Sequence, residues 1–139
     1  MSATAETVFT GACLCGDVRY EARGEPSAAN HCHCTQCQRA SGAGMLTWAT
    51  WPLGAVRVLG KAGAFESSPG VHRSFCPRCG STLFWRRLAR EPAEIDIAAG
   101  TLDEPDRLSP ADHIFTSSRR RWLPLCDGLP AYREHRPKP

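Results

Sequence analysis

The sequence lacks any apolar run of about 18 residues, the length that a helix needs to cross a bilayer. Its beginning, MSATAETVFTGACLCG, has neither the basic start nor the apolar stretch of a secretory leader. We therefore expect no membrane insertion and a cytoplasmic location. Internal repeats and long linkers are also missing, so the 139 residues fit one domain.

A strong charge of either sign is missing too. The formal net charge is only +3, which is weak evidence for a nucleic-acid partner, and none is expected. The run SRRRW (118–122) concentrates three arginines beside a tryptophan. Because side chains alternate faces along a strand, we interpret this run as a charged edge strand and not as a flat phosphate-binding patch.

Apolar patterns at helical spacing are scarce, which favours a mainly β fold. One short helix is predicted at TQCQRASG (35–42), ended by Gly42. Segments rich in β-branched and aromatic residues predict strands. They lie at 18–24, 45–51, 56–60, 71–75, 81–85 and 95–100. The ends, residues 1–6 and 133–139, are predicted to be flexible tails around a single domain at 7–132.

Cysteine, in contrast, is abundant, with eight residues. An even count permits a disulfide framework, but in a reducing compartment clustered cysteines indicate metal ligation. The clusters are C-x-C, C-x-C-x2-C and C-x2-C, and disulfides within them would close only tiny loops. We therefore expect zinc sites.

Two of these clusters combine into one complete ligand set. Cys13 and Cys15 lie at i and i+2 beside a strand, so both sulfurs face the same side. Cys76 and Cys79 form a C-x2-C knuckle. Four thiolates saturate tetrahedral zinc, which is typical of a structural site.

The stretch HCHCTQC (31–37) offers Cys32, Cys34 and Cys37, one short of a tetrahedral set. Three protein ligands with an open fourth position are the pattern of a catalytic zinc, which can acidify water or a thiol or polarise an aldehyde oxygen. In an extended segment His31 and His33 point to the opposite face, so they are poor candidates for the fourth ligand.

A second structural site is the alternative. A fourth ligand for the cysteine trio could come from residues distant in sequence, and the candidates are Cys126, His72, His113 or an acidic side chain. Cys126, which has no partner at ligand spacing, is otherwise interpreted as a free buried thiol.

Several segments together resemble the glutathione-dependent formaldehyde-activating enzyme and centromere protein V family. The resemblance runs from about Thr10 to Tyr132. The segments that carry it are GACLCGDVRYEA, CHCTQCQRASG, FCPRCGSTLFW, IAAGTLD and PADHIF…W…GLPAY.

This resemblance implies a single zinc-stabilised β-tent domain of antiparallel sheets with two zinc ions. It also implies a division of the cysteines: Cys13, Cys15, Cys76 and Cys79 would hold the structural zinc, and Cys32, Cys34 and Cys37 the catalytic one. The implied enzyme is a carbon–sulfur lyase that forms or cleaves S-hydroxymethylglutathione, so the expected partner is a small thiol or thiol adduct.

Other functions remain open from the sequence. The chain could act on another thiol–aldehyde adduct, or it could be a zinc-held β binding module with both metals structural and no catalysis. If it binds glutathione, Arg39 and Arg73 flank the metal motifs and are candidates to hold its carboxylates. His113, on the family's late His-Ile pair, has either a place near the pocket or a structural role.

Overall fold

The computed structural model of the protein describes residues 6–137. Within this range the chain is mainly β, as predicted, with ten strands, one α-helix and four short 3-10 turns. The helix α1 spans Thr35–Ser41. The strands are β1 (Val8–Ala12), β2 (Arg19–Arg23), β3 (Ala28–Cys32), β4 (Leu46–Pro52), β5 (Val56–Leu59), β6 (Gly63–Ser68), β7 (Val71–Phe75), β8 (Thr82–Arg87), β9 (Glu94–Ala98) and β10 (Asp112–Ile114).

The strands form two sheets. The smaller sheet has the order β1-β2-β5, and the larger has the order β10-β3-β4-β9-β8-β7-β6. Most neighbours are antiparallel, but β10 pairs with β3 in parallel, so the large sheet is mixed. The predicted antiparallel pairing holds for the other neighbouring strands, and at this edge a long connection brings β10 back beside β3 in parallel.

All six predicted strands and the predicted helix are present. Gly42 ends α1 in the left-handed conformation, with φ of 73°, and its N–H bonds to the Gln38 carbonyl. The run 118–122 is not the edge strand that was predicted: after a 3-10 turn the chain makes a further turn there. Its arginines bond main-chain oxygens, for example Arg119 to Leu123 and Arg120 to Ser118.

The main core lies between one face of the large sheet and the inner face of the small sheet. Trp51 from the large sheet is fully buried and packs edge-on against Phe9 of β1, with ring centroids 5.3 Å apart. Tyr20 of β2 makes the same kind of contact with Phe84 of β8 at 5.5 Å. Because strand residues alternate faces, burying this face leaves the other face of the large sheet available to line a site.

The predicted tails lie partly outside the described residues, since residues 1–5 and 138–139 are not described. At the other end, the carbonyls of Arg133 and Glu134 accept hydrogen bonds from Ser117 and Phe115. Arg136 pairs with the buried Asp112.

No helix within the described range is long and apolar enough to cross a membrane.

A substitution at Gly11 tests how closely β1 of the small sheet packs against its neighbours. A Cβ added there would overlap the Tyr20 ring and approach the Thr101 carbonyl. We predict that Gly11→Ala lowers the free energy of unfolding by about 1–3 kcal/mol, as overpacking does. Urea denaturation measures it.

The matched control is Gly54→Ala, where an added Cβ meets no atom within 4 Å. It should change stability by less than about 0.5 kcal/mol. Equal stability of the two variants would contradict the packing described here.

Candidate metal centres and active-site cavity

Four cysteines meet where the N-terminal hairpin approaches the β7–β8 turn. Their sulfurs all lie within 4.8 Å of one another. The Cys13–Cys15 and Cys15–Cys76 sulfur distances are 3.6 and 3.7 Å. Sulfurs around a tetrahedral zinc lie about 3.8 Å apart, given Zn–S bonds of about 2.3 Å. This four-cysteine group, Cys13, Cys15, Cys76 and Cys79, is therefore spaced for one metal ion and not for disulfides.

Two glycine-ended turns position the group. Gly16 and Gly80 both adopt positive φ, 85° and 78°, and each donates its N–H to the carbonyl of the first cysteine of its pair. A β-carbon would be strained in this conformation, which accounts for glycine after each pair. Main-chain N–H groups also point at sulfur: that of Cys79 lies 3.5 Å from Cys76 Sγ.

Hydrogen bonding favours an ionised sulfur at one member of this group, Cys79. Ser81 donates to Cys79 from both its hydroxyl and its main chain, which lowers the pKa of that thiol to about 5. A metal ligand must be a thiolate, so this environment suits metal binding.

The second group, Cys32, Cys34 and Cys37, is built by the end of β3 and the start of α1. Its three sulfurs also lie within 4.8 Å of one another, and Cys37 and Cys32 are 3.4 Å apart. Cys34 is the N-cap of α1, where its sulfur accepts the Cys37 N–H at 3.2 Å. The helix thus turns Cys37 back toward the strand, as the sequence predicted.

Two side chains of the large sheet point at the Cys37 sulfur. The Trp48 ring N–H lies 3.5 Å from it, and both terminal nitrogens of Arg73 lie 3.7 Å from it. Arg73 is only 8% exposed, and none of the ion pairs found among the described residues includes it. Because a buried cation needs a counter-charge, this arrangement favours a negative charge within the three-cysteine group.

Hydrogen bonds between the sulfurs of this three-cysteine group also shift the pKa values of its thiols. Hydrogen bonds from Cys32 and Cys37 lower the pKa of the Cys34 thiol, and hydrogen bonds with Cys34 and Cys37 raise that of Cys32. These hydrogen bonds stabilise the thiolate of Cys34 and disfavour ionisation of Cys32. A bound cation removes that opposition, so the group is suited to a metal ion.

No fourth ligand joins the trio within the described part of the chain. Among residues 6–137, the group of potential metal ligands at this position consists of the three cysteines alone. His72 lies instead beside Glu66, Cys126 is exposed and not buried as predicted, and His113 packs on the other face of the sheet. The fourth coordination position of a metal ion bound to this group would therefore be open.

A cavity of about 600 Å³ opens beside the three-cysteine group. It lies on the face of the large sheet opposite the core, and Trp48 and Trp85 form part of its wall. Arg73, Arg87 and Arg90 add positive charge. Arg39 is exposed on α1 and does not line the cavity, so Arg73 is the one of the two candidate arginines that reaches the site.

Sequence reasoning missed Asp96, which also lines the cavity. Thr50 donates to its Oδ1 at 2.6 Å, yet burial dominates and raises the pKa of Asp96 to about 6. A carboxyl with such a pKa can exchange a proton near neutral pH. Only the pairing of β9 between β4 and β8 brings it to this face, so no local motif could have identified it.

Two comparisons with known proteins gave a match. The family profile described as "Glutathione-dependent formaldehyde-activating enzyme" matches residues 8–118. A crystal structure of a Rhodobacter sphaeroides protein from structural genomics has a TM-score of 0.58 and 24% identity, and the match covers 88% of this chain and 98% of that one. At this identity the likeness shows the fold alone. No curated protein gave a significant match.

Removing one sulfur tests the four-cysteine group. We predict that Cys76→Ser binds one metal ion fewer per chain and loses roughly 3 kcal/mol or more of unfolding free energy, because metal binding contributes directly to folding. Elemental analysis and urea denaturation measure both. Cys126→Ser, which changes an exposed cysteine outside both groups, should match the native chain; full metal content in Cys76→Ser would contradict the assignment.

The raised pKa of Asp96 leads us to expect that the stability of the protein depends on pH. Because its folded-state pKa is raised from 3.8 to about 6, ionisation disfavours the native state, and stability is lost as pH rises through this window. We predict that Asp96→Asn, which keeps an acceptor for Thr50, gains roughly 2 kcal/mol over the native chain between pH about 4 and about 7. A constant difference across that range in urea denaturation would refute the shift.

Proposed function

Since this chain belongs to the glutathione-dependent formaldehyde-activating enzyme family, we propose that it forms or cleaves the carbon–sulfur bond of a thiol–aldehyde adduct such as S-hydroxymethylglutathione. In this proposal it is a zinc-dependent carbon–sulfur lyase with two zinc ions per chain. The four-cysteine group holds the structural zinc and the three-cysteine group the catalytic one. The domain at 7–132 acts in the cytoplasm.

One observation supports catalysis above all. An incomplete sulfur trio, with the buried Arg73 against its Cys37 sulfur, borders a cavity of about 600 Å³. A purely structural site needs four protein ligands, and the described residues supply three here. For the alternative, a binding module with both metals structural, residues 6–137 supply no fourth ligand at this group.

Zinc at the three-cysteine group would supply Lewis acidity, which lowers the pKa of a thiol or polarises an aldehyde oxygen. The protein's own part is to hold this group in place. Arg73 and the Trp48 N–H stabilise negative charge on Cys37, and α1 fixes Cys34 as its N-cap. Hydrogen bonds to the ligands of a metal ion fix the orientation of those ligands and modify the affinity and reactivity of the ion.

The cavity wall supports the proposed substrate class. Cleavage of a hydroxymethyl thioether returns the C–S electron pair to sulfur and converts the C–O–H group to a carbonyl, with release of its proton. Asp96 lines the cavity and has a pKa near 6, so its carboxylate can accept that proton. Arg87, also in the wall, provides positive charge for a carboxylate of an acidic thiol such as glutathione, whereas the neighbouring Arg90 is paired with Glu94 at 3.4 Å.

Cys34→Ser tests the proposal. Serine is a good N-cap, so α1 should be retained while a soft metal ligand is lost. We predict that turnover of S-hydroxymethylglutathione falls at least about a hundredfold, with far-UV circular dichroism unchanged. Formaldehyde release measures the rate.

Cys126→Ser is the matched control and should keep native activity, because Cys126 is exposed and outside both cysteine groups. Undiminished turnover by a folded Cys34→Ser protein would rule out the proposed role of the trio. Absence of turnover in the native protein with both metal groups loaded would rule out this substrate.

A further inference from the structure

A third group of metal-ligating side chains lies on the face of the large sheet opposite the three-cysteine group. It consists of His31 on β3, His113 on β10 and Asp127 in the segment that follows. One ligand atom from each lies within 4.8 Å of the others. Neither the cysteine sites nor the proposed lyase reaction uses these residues.

The parallel pairing of β10 with β3 creates the group. His31 and His113 are direct register partners, and their rings lie 4.7 Å apart. The segment after Asp127 then returns along β10: the His113 N–H donates to the Pro130 carbonyl, and the Tyr132 N–H donates to that of His113. These main-chain bonds hold the segment that follows Asp127 against β10.

Each ligand is already oriented by a second partner. Thr47 Oγ1 lies 2.7 Å from His31 Nδ1, which leaves Nε2 of that ring available. His33 Nε2 lies 2.9 Å from His113 Nδ1, and the Leu129 N–H donates to Asp127 Oδ1 at 3.1 Å. Metal-ligating histidines characteristically use their other ring nitrogen in this way.

The spacing between ligand atoms is close to that of a coordinated ion. His113 Nε2 and Asp127 Oδ2 are 2.8 Å apart. Around a tetrahedral zinc with bonds of about 2.0–2.1 Å, neighbouring ligand atoms lie about 3.3 Å apart. For this pair a shift of roughly half an ångström suffices, and Asp127, with its side chain 44% exposed, has room to make it.

We propose that His31, His113 and Asp127 form a third metal site, which takes one divalent transition ion such as Zn²⁺. Two imidazoles and a carboxylate suit zinc and its neighbours and do not suit Mg²⁺ or Ca²⁺, which require oxygen ligands. The exposed Asp127 side leaves access for the ion and for water. Occupancy would fasten the C-terminal segment to β3 and β10.

The absence of sulfur separates this site from the cysteine groups experimentally. Co²⁺ is added to the full-length protein whose cysteine groups are loaded with zinc. We expect one equivalent to bind with visible d–d bands but without the near-ultraviolet sulfur-to-cobalt charge-transfer bands. Displacement of zinc from a cysteine group would instead produce those bands, which would overturn the assignment.

Two variants locate the ion. Asp127→Asn keeps an oxygen that can accept from His113 but removes the anionic ligand, and His31→Gln removes one imidazole. Each should weaken Co²⁺ binding at least about tenfold, a loss seen even for outer-shell changes at metal sites.

Asp106→Asn, an exposed carboxylate outside the three groups, is the matched control and should bind as the native chain does. Failure of the native protein to bind Co²⁺ beyond its zinc, or unchanged binding in both site variants, would overturn the proposal and leave only the His33–His113–Asp127 hydrogen-bond network. Neither result depends on lyase activity, so the two proposals fail independently.

Discussion

The two-residue period of β3 is the constraint on which the sites depend. In the stretch HCHC, the side chains of His31 and Cys32 must point to opposite faces of the large sheet. Cys32 therefore joins the cavity, and His31 joins β10 on the other side. A shift of one residue in the register of β3 would exchange the two faces and dismantle both groups. The neighbours β4 and β10 specify that register from either side.

Electrostatics then distinguishes the two cysteine groups. The four-cysteine group is surrounded by hydrogen-bond donors of the main chain and Ser81, which stabilise thiolates at modest cost. At the three-cysteine group a whole guanidinium, that of Arg73, is buried against one sulfur. A buried cation is expensive unless it is paired, so the contact indicates a centre with an excess of negative charge near the cavity.

Much of this could be predicted from the sequence, because the informative signals are local. Tight cysteine spacing predicted both groups, and β-branched and aromatic runs predicted six strands. The strands β1, β3, β6 and β10 were missed. Segments such as AANHC and GAFESS have little intrinsic preference for a strand, and their neighbours in the sheet stabilise them. The contact of Arg73 with Cys37 and the place of Asp96 depend on long-range pairing, which local patterns do not reveal.

The two cysteine groups also differ in how far apart their members lie along the chain. Cys32, Cys34 and Cys37 fall within one short turn, so a nascent chain presents all three soon after β3 has been synthesised. The other group is complete only when Cys79 has emerged and the intervening strands have brought it back to Cys13. Closing such a loop carries an entropy cost that the short turn avoids. Metal acquisition during synthesis would therefore follow an order set by the chain itself, with the local trio able to capture an ion before the scaffold is fastened.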